Sequence, residues 1–533
     1  MKNIYKSILV AMAAPMLLTS CLDEVQASDI LTKDQIDASE NGATALLWAM
    51  PAMLNYVGTL PSSDMAYDYG YGSIMHIRDV MTEDMPVTAS NYEWYSAWME
   101  NTGIGNYTTS SQLVWWYMNK LVLAANNSIE YFRNHPDAES ATGYLGTSLA
   151  YRAAAYLDLA RMYEFLENDA VSPVNSAGNN VLGLTVPIVT EETTAEEARN
   201  NPRVSHETMF EFILNDLNEA EEDLTGFSVP SKVFPDLAVV YGLKARLYMW
   251  NEDYNSAREY ARKAITQHGG DSMILTESEW LDTANGFNTT SVNSWMWGAE
   301  QNSDSESVQT KYYNWTSWNC NETTFGYNYY GTTTMINVAT YNRMSDTDFR
   351  KLSYVAPEGS ALSGQEKFVD DYFKTKLTEY CALKFRPASG AYSDYTVGAA
   401  SAYPLMRIEE MYFIEAEAAA HVSAGYGSSL LTSFMKNYRD PNYKCTVSSP
   451  DDVIEEIIFQ KRVELWGEGQ SYFDIKRLNY SVTRNYDGTN FSGDRLINTN
   501  GRPAWMNFVI LRFEGDNNAA VTDWNNPDTD NCY

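Results

Sequence analysis

Apolar positions recur at the 3.6-residue period of a helix in three stretches of the chain, and each stretch predicts packed helices. The first runs from about Gln112 to Glu167, with Val114, Met118, Leu121 and Ala125 on one face. Its continuation, LGTSLAYRAAAYLDLARMYEF, is rich in Ala and Leu and contains no proline, as a well-packed helix requires. The second runs from about Ser205 to His268. There Leu237, Tyr241, Ala245 and Tyr248 form one stripe, Asn251 to Asp253 form a turn, and Ala257, Ala261 and Ala264 form the facing stripe. The third covers about Tyr403 to Tyr480, with Ile454, Ile457, Ile458 and Leu465 as its buried stripe.

Small side chains at Ala245, Ala257 and Ala264 let two antiparallel helices approach closely. Together with Tyr248 they fall at the spacing of a tetratricopeptide repeat, a pattern that other Ala-rich hairpins share. The predicted fold class is mainly α: tetratricopeptide-like helix pairs forming a scaffold, with long irregular aromatic-rich loops. Two loop tracts break the helical pattern, Pro61 to Thr109 and Trp280 to Tyr341. Both are crowded with Trp, Tyr, Asn, Ser, Thr and Gly. Loops of this length in a compact protein are functional or disordered, and disordered segments are poor in aromatics. These tracts are therefore expected to be ordered.

The first residues address the compartment. Lys2 and Lys6 precede an apolar run from Ile8 to Leu18, too short to span a bilayer, so 1–20 reads as a signal peptide. Leu18-Thr19-Ser20-Cys21 looks like a lipobox, which predicts lipidation at Cys21 and one mature domain over 21–533. Asp23 and Glu24 follow, similar to the early acidic residues of lipoproteins exported to the outer face. No later stretch is apolar enough to cross a membrane, so lipid is the only expected anchor. Lys and Arg number 37 against 70 for Asp and Glu, a formal charge of −33. Such a surface repels nucleic acid and anionic membrane, and excludes both as partners.

Catalytic and metal-binding patterns are missing from the sequence. His206-Glu207 lacks the second histidine of HExxH, Gly70-Tyr71-Gly72 lacks a third glycine, and there is no GxSxG elbow or Walker loop. Beyond Cys21, Cys320, Cys381, Cys445 and Cys532 match no zinc spacing, and leave both disulfides and buried thiols open. No catalytic residue, metal or cofactor is expected. Near the end of the third stretch, Glu464, Glu468, Asp474, Arg462, Lys476 and Arg477 gather acids and bases, and Gly467 and Gly469 permit a sharp turn. Glu464 and Glu468 are expected to share one helix face, side by side rather than across a substrate.

Several of these segments resemble one family. KRVELWGEGQSYFDIKR, Lys461 to Arg477, is similar to the C-terminal signature of the SusD/RagB family through Arg462, Glu464, Leu465, Glu468, Gly469, Phe473, Asp474 and Arg477. Lys461 and Gln470 depart from it, standing where the family often has Glu and Arg. YPLMRIEEMYFIEAEAAA resembles the family's Pro-x-x-Arg-x-x-Glu helix through Pro404, Arg407 and Glu410. The helices around LAYRAAAYLDLARMYEF add a third likeness. The resemblance implies an outer-membrane lipoprotein that captures a nutrient for a TonB-dependent, SusC-like transporter, and that faces the cell exterior. A glycan is the expected ligand. A peptide-capturing lipoprotein and a glycoside hydrolase are the alternatives.

The aromatic tracts supply the candidate binding residues. A sugar presents a flat C–H face that packs on Trp or Tyr, and hydroxyls that need donors and acceptors. The first tract offers Tyr92, Trp94, Tyr95 and Trp98 with Arg78, Asp84 and Asn101. The second adds Trp295, Trp297, Trp315, Trp318 and Tyr327, interleaved with Asn314, Asn319 and Asn328. With little aliphatic company, the set is expected to form an exposed aromatic platform.

Overall fold

The computed structural model describes residues 42–60, 65–90 and 92–533. The signal segment, Cys21, and positions 61–64 and 91 of the first aromatic tract lie outside the described residues. Residues 1–45 and 46–533 form two units, and the described residues of the first are 42–45, in helix α1 (Gly42–Met53).

Side-chain caps set where the predicted helices begin. After α2 (Tyr71–Val80), the first stretch is a pair, α3 (Thr109–Asn134) and α4 (Ala141–Tyr163). The second is α5 (His206–Asp223), α6 (Leu237–Trp250) and α7 (Tyr254–His268). Thr108, Ser205, Asp236 and Asp253 each accept an N–H that the first turn of α3, α5, α6 or α7 leaves unpaired. Ala245, Ala257, Ala261 and Ala264 are fully buried where α6 meets α7, while Tyr248 is half-buried and stacks on Tyr260 at 5.5 Å.

The third stretch does not start as a helix. Strand β1 (Trp295–Ala299) pairs antiparallel with strand β2 (Tyr403–Arg407), and Trp295 lies opposite Arg407. The residue before a proline is pushed to extended backbone, so Pro404 disfavours a helix from Tyr403. Trp295 and Trp297 thus belong to a buried strand rather than to an irregular loop. Helices α8 (Ile408–Val422), α9 (Ala424–Tyr438), α10 (Pro450–Glu464) and α11 (Ser471–Arg477) follow.

From α3 to α9 each labelled helix packs on the next, and α10 packs on α8. This holds even for α7 and α8, which are separated in sequence by both strands. The result is an array of helix pairs in which each layer covers its neighbour's apolar face, the logic of a repeat protein. The fold class is mainly α, as the pattern predicts. Among the described residues no helix is long and apolar enough to cross a membrane. The four described cysteines are free thiols, and burial pushes the Cys320 thiol well up.

The signature after α10 corrects one expectation. The helix ends at Glu464, so Glu464 and Glu468 do not share its face; Gly467 and Gly469, at φ of 76° and 68°, turn the chain toward α11. Both carboxylates still meet Arg407, at 3.2 and 2.9 Å. Glu464 also accepts from Arg439 at 2.8 Å and Arg350 at 3.0 Å, and Lys384 reaches Glu468 at 2.6 Å. Burial works to raise the Glu464 pKa, but the three guanidiniums outweigh it and hold the carboxyl far below its usual range. Lys461, the first departure from the signature, bridges to Asp474 at 2.8 Å.

Candidate ligand-binding surface

The two aromatic tracts are stitched to each other by backbone hydrogen bonds. Thr88 N–H donates to the Thr333 carbonyl at 3.0 Å, and Met335 N–H to that of Pro86 at 2.8 Å. Asn337 Nδ2 reaches the Glu83 carbonyl at 2.8 Å, and Thr333 N–H returns a bond to Thr88 Oγ1 at 2.8 Å. These contacts fix 83–88 against 331–337 and carry the neighbouring aromatic segments to one place.

There the rings form a connected group. Tyr92 lies 6.0 Å from both Tyr327 and Tyr330, and Trp94 lies 6.4 Å from Tyr327. Tyr312 joins at 5.5 Å from Tyr327 and 6.3 Å from Tyr330. Tyr92, Trp94 and Tyr330 are exposed at 44, 37 and 44 %. Tyr327 and Tyr312 are half-buried, and burial beside the other tyrosines pushes the Tyr327 phenol up to about 12. At neutral pH the Tyr327 phenol therefore stays neutral and can donate as well as accept.

A column of buried rings supports the group from below. Trp318 stacks on Tyr327 at 4.5 Å, Tyr95 meets Trp318 edge-on at 4.8 Å, and His76 meets Tyr95 at 4.5 Å. Trp318 Nε1 donates to the Ala66 carbonyl at 3.1 Å, and the Tyr95 hydroxyl bonds Ser73 at 3.0 Å. Burial lowers the His76 pKa to about 4, so the column carries no charge at neutral pH.

An exposed platform made from the whole predicted set is not what the chain builds. Of its nine rings, Tyr95, Trp98, Trp295, Trp297, Trp315 and Trp318 are buried. Trp98 packs edge-on to Tyr67, Trp315 stacks on Tyr403 at 4.8 Å, and Trp297 Nε1 donates to the Val233 carbonyl at 3.0 Å. Burying an indole removes so much apolar area from water that a ring stays out only where neighbours cannot cover it. The predicted polar residues are buried too. Arg78 pairs with Asp158 at 2.7 Å, Asp84 accepts from Arg462, and Asn101 donates to the Thr529 carbonyl at 3.1 Å. The structure brings Tyr92, Trp94 and Tyr327 together at the surface and leaves the other nine predicted residues inside.

Polar partners at this surface come from a segment the pattern did not single out. Ser492 to Arg495, with Tyr92, Glu93, Trp94 and Glu100, lines a groove of about 550 Å³. Arg495 Nη1 donates to the Val87 carbonyl at 2.8 Å, and the same guanidinium lies 3.5 Å from Glu100. A second hollow of about 280 Å³, lined by Asn328, Tyr329 and Lys376 among others, shares Tyr330 with the ring group. Arg495 lies about 400 residues from Trp94 in sequence, and nothing local in SGDRL marks it. Tyr330 and Tyr312 were within the second tract, undistinguished from their neighbours.

The fold defines a helical-repeat scaffold that presents an aromatic loop surface. Residues 282–510 match the sequence model of the SusD family. A SusD-like protein P38 of Formosa agariphila is 26% identical over 183 residues, which are 34% of this chain and 31% of that relative's length. Over the whole fold, the chain is similar to a SusD-like carbohydrate binding protein from Bacteroides vulgatus, at a TM-score of 0.70 and 24% identity, covering 91% of this chain and 97% of the other. A laminarin binding SusD-like protein is similar at a TM-score of 0.62 and 16% identity, over 92% and 99% of the two chains. Over residues 282–510, then, the chain is similar to the SusD family, and its fold is like that of solved SusD-like proteins.

Proposed function

We propose that this protein is a cell-surface lipoprotein of polysaccharide utilisation that binds a glycan on the surface formed by Tyr92, Trp94, Tyr327 and Tyr330. Segment 1–20 is removed, Cys21 is acylated, and 21–533 works as a single SusD-like domain at the outer membrane. A TonB-dependent, SusC-like transporter receives the ligand. The observation that carries the reading is the cluster of exposed rings that shares its residues with two hollows lined in part by polar side chains, which suits a sugar's flat C–H face and its rim of hydroxyls. The carbohydrate and laminarin bound by similar proteins support the same ligand class.

The protein acts as a binder and not as an enzyme. Its most conspicuous carboxylate pair, Glu464 and Glu468, is buried and engaged by cations, with no room for a substrate between them. A glycan array including laminarin, followed by calorimetry on the best ligand, tests the reading. The binding isotherm should weaken in Tyr92→Ala and Tyr327→Ala, and no reducing ends should be released. Undiminished binding in both folded variants would sink the assignment of this surface.

A further inference from the structure

A separate cavity lies between the start of α5, the α6–α7 turn and the signature. It measures about 320 Å³, the size of one sugar ring with its substituents. Its lining is basic in a chain whose net charge is −33: Arg161, Arg246, Lys461, Lys476, Arg477 and Arg502 face the carboxylates of Glu164, Glu252, Glu410 and Asp474.

Three of the four acids are already engaged. Glu164 accepts from Trp250 Nε1 at 2.8 Å and from His206 at 2.9 Å. Glu410 takes Arg246 through both oxygens, at 2.7 and 2.6 Å, and Asp474 takes Lys461 at 2.8 Å. Glu252, at the α6–α7 turn, is exposed.

The cations are less well matched. Lys476 Nζ donates only to the carbonyls of Arg161, Met162 and Glu164, at 2.8 to 2.9 Å, so no carboxylate bonds its charge. Arg502 likewise donates to the carbonyls of Lys476, Glu167 and Arg477. Arg477 pairs with Glu417 and Asp474 through Nη2 and lies beside the Tyr254 hydroxyl, but its buried Nη1 completes no hydrogen bond of ordinary geometry, and the side chain is only 10 % exposed. Burial drives Lys476 well below its ordinary pKa and lowers Arg161 and Arg502, the signature of cations without enough opposite charge.

Trp250, Met249, Ile414 and Phe473 supply apolar wall, and Gln470 adds an uncharged amide. We propose that this cavity is a second binding site, separate from the aromatic surface, for a small oxyanion: a carboxylate or sulfate group, free or carried on one sugar-sized ring. The anion would meet Arg477 Nη1 and offset the charge of Lys476 and Arg502, while a ring would lie against Trp250 and Phe473.

The test is calorimetry on the full-length protein at constant ionic strength, set with sodium chloride, using sodium galacturonate, sodium sulfate and galactose as probes. Either anion, or both, should give a saturable isotherm and galactose none. Sulfate alone would identify an inorganic oxyanion, and galacturonate alone a sugar acid. Gln470→Glu places a carboxylate of the same size in the lining, and should weaken anion binding at least tenfold while leaving the melting temperature equal or higher. If that variant does not fold, Arg502→Gln applies the same test from the cavity's other side and should weaken binding in the same way. The proposal is overturned if neither anion binds, if galactose binds equally, or if the folded variant keeps full affinity.

Discussion

The charge cluster around Glu464 and the aromatic surface around Tyr327 are built from equally conspicuous residues and differ in one respect. In the first, every prominent group is engaged: Arg350, Arg407 and Arg439 close on Glu464, and all four side chains are buried. In the second, Trp318 and Tyr95 are covered and bonded, but Tyr92, Trp94 and Tyr330 keep a large part of their surface in water. Groups that satisfy one another hold a fold together and leave nothing over for a ligand. Rings that pay no such role and remain uncovered are what a binding surface needs.

Cutting into the charge cluster gives the largest expected effect. Glu464→Ala leaves three buried guanidiniums without their shared partner and should cost about 5 kcal/mol, read as a loss of urea midpoint. A variant that melts like wild type would show that the cluster does not hold the fold. Trp318→Ala removes the ring beneath Tyr327 and should cost about 3 kcal/mol through the cavity it leaves. It should also weaken glycan binding, because Tyr327 loses the face it stacks on. A stable Trp318→Ala protein with normal binding would mean that the column does not support the surface.

Acid separates the two regions in another way. Burial works to raise the Asp158 pKa, and Arg78 and Arg161 outweigh it, holding the carboxyl at about 2; Glu464 is held lower still. A carboxyl depressed in the folded state contributes stability that is complete above its unfolded pKa and is lost as pH falls through the folded value. The contribution of these two carboxyls to stability should therefore be level above about pH 5 and fall between about pH 4 and 2, by about 2 kcal/mol for Asp158 alone, read as a loss of urea midpoint on the acid side. Tyr327 and Tyr330, whose phenols are held above their ordinary range, stay neutral across that window, so glycan affinity should hold until the protein begins to unfold. An affinity that drops with acid while the protein is still fully folded would mean that more than rings meets the ligand.

The smallest effect on stability belongs to the exposed ring. Trp94→Ala should change the urea midpoint by less than about 0.5 kcal/mol and weaken glycan binding by about 1 kcal/mol, roughly a factor of five. Destabilisation without loss of affinity would reverse the roles assigned to the two regions.

Helical periodicity carries its own geometry, so the stripes Ala257, Ala261 and Ala264, or Ile454, Ile457 and Ile458, fix which face is buried without reference to the rest of the chain. The caps at Ser205, Asp236 and Asp253 are equally local. Lys461 to Arg477 and Tyr403 to Ala420 were enough to suggest the family. The aromatic tracts themselves were legible as ordered segments, but not which rings in them face water. Nothing near Trp98 or Trp315 distinguishes it from Trp94, because exposure depends on what the rest of the chain lays over each ring: Tyr67 on Trp98, Tyr403 on Trp315, and less over Trp94. The strand at Tyr403 needed its partner at Trp295, and the groove needed Arg495 from the far end of the chain. Sequence alone thus determined the helices, whose hydrogen bonds close within a few residues; the tertiary structure decided burial and the site, because both are sums over contacts between segments hundreds of residues apart.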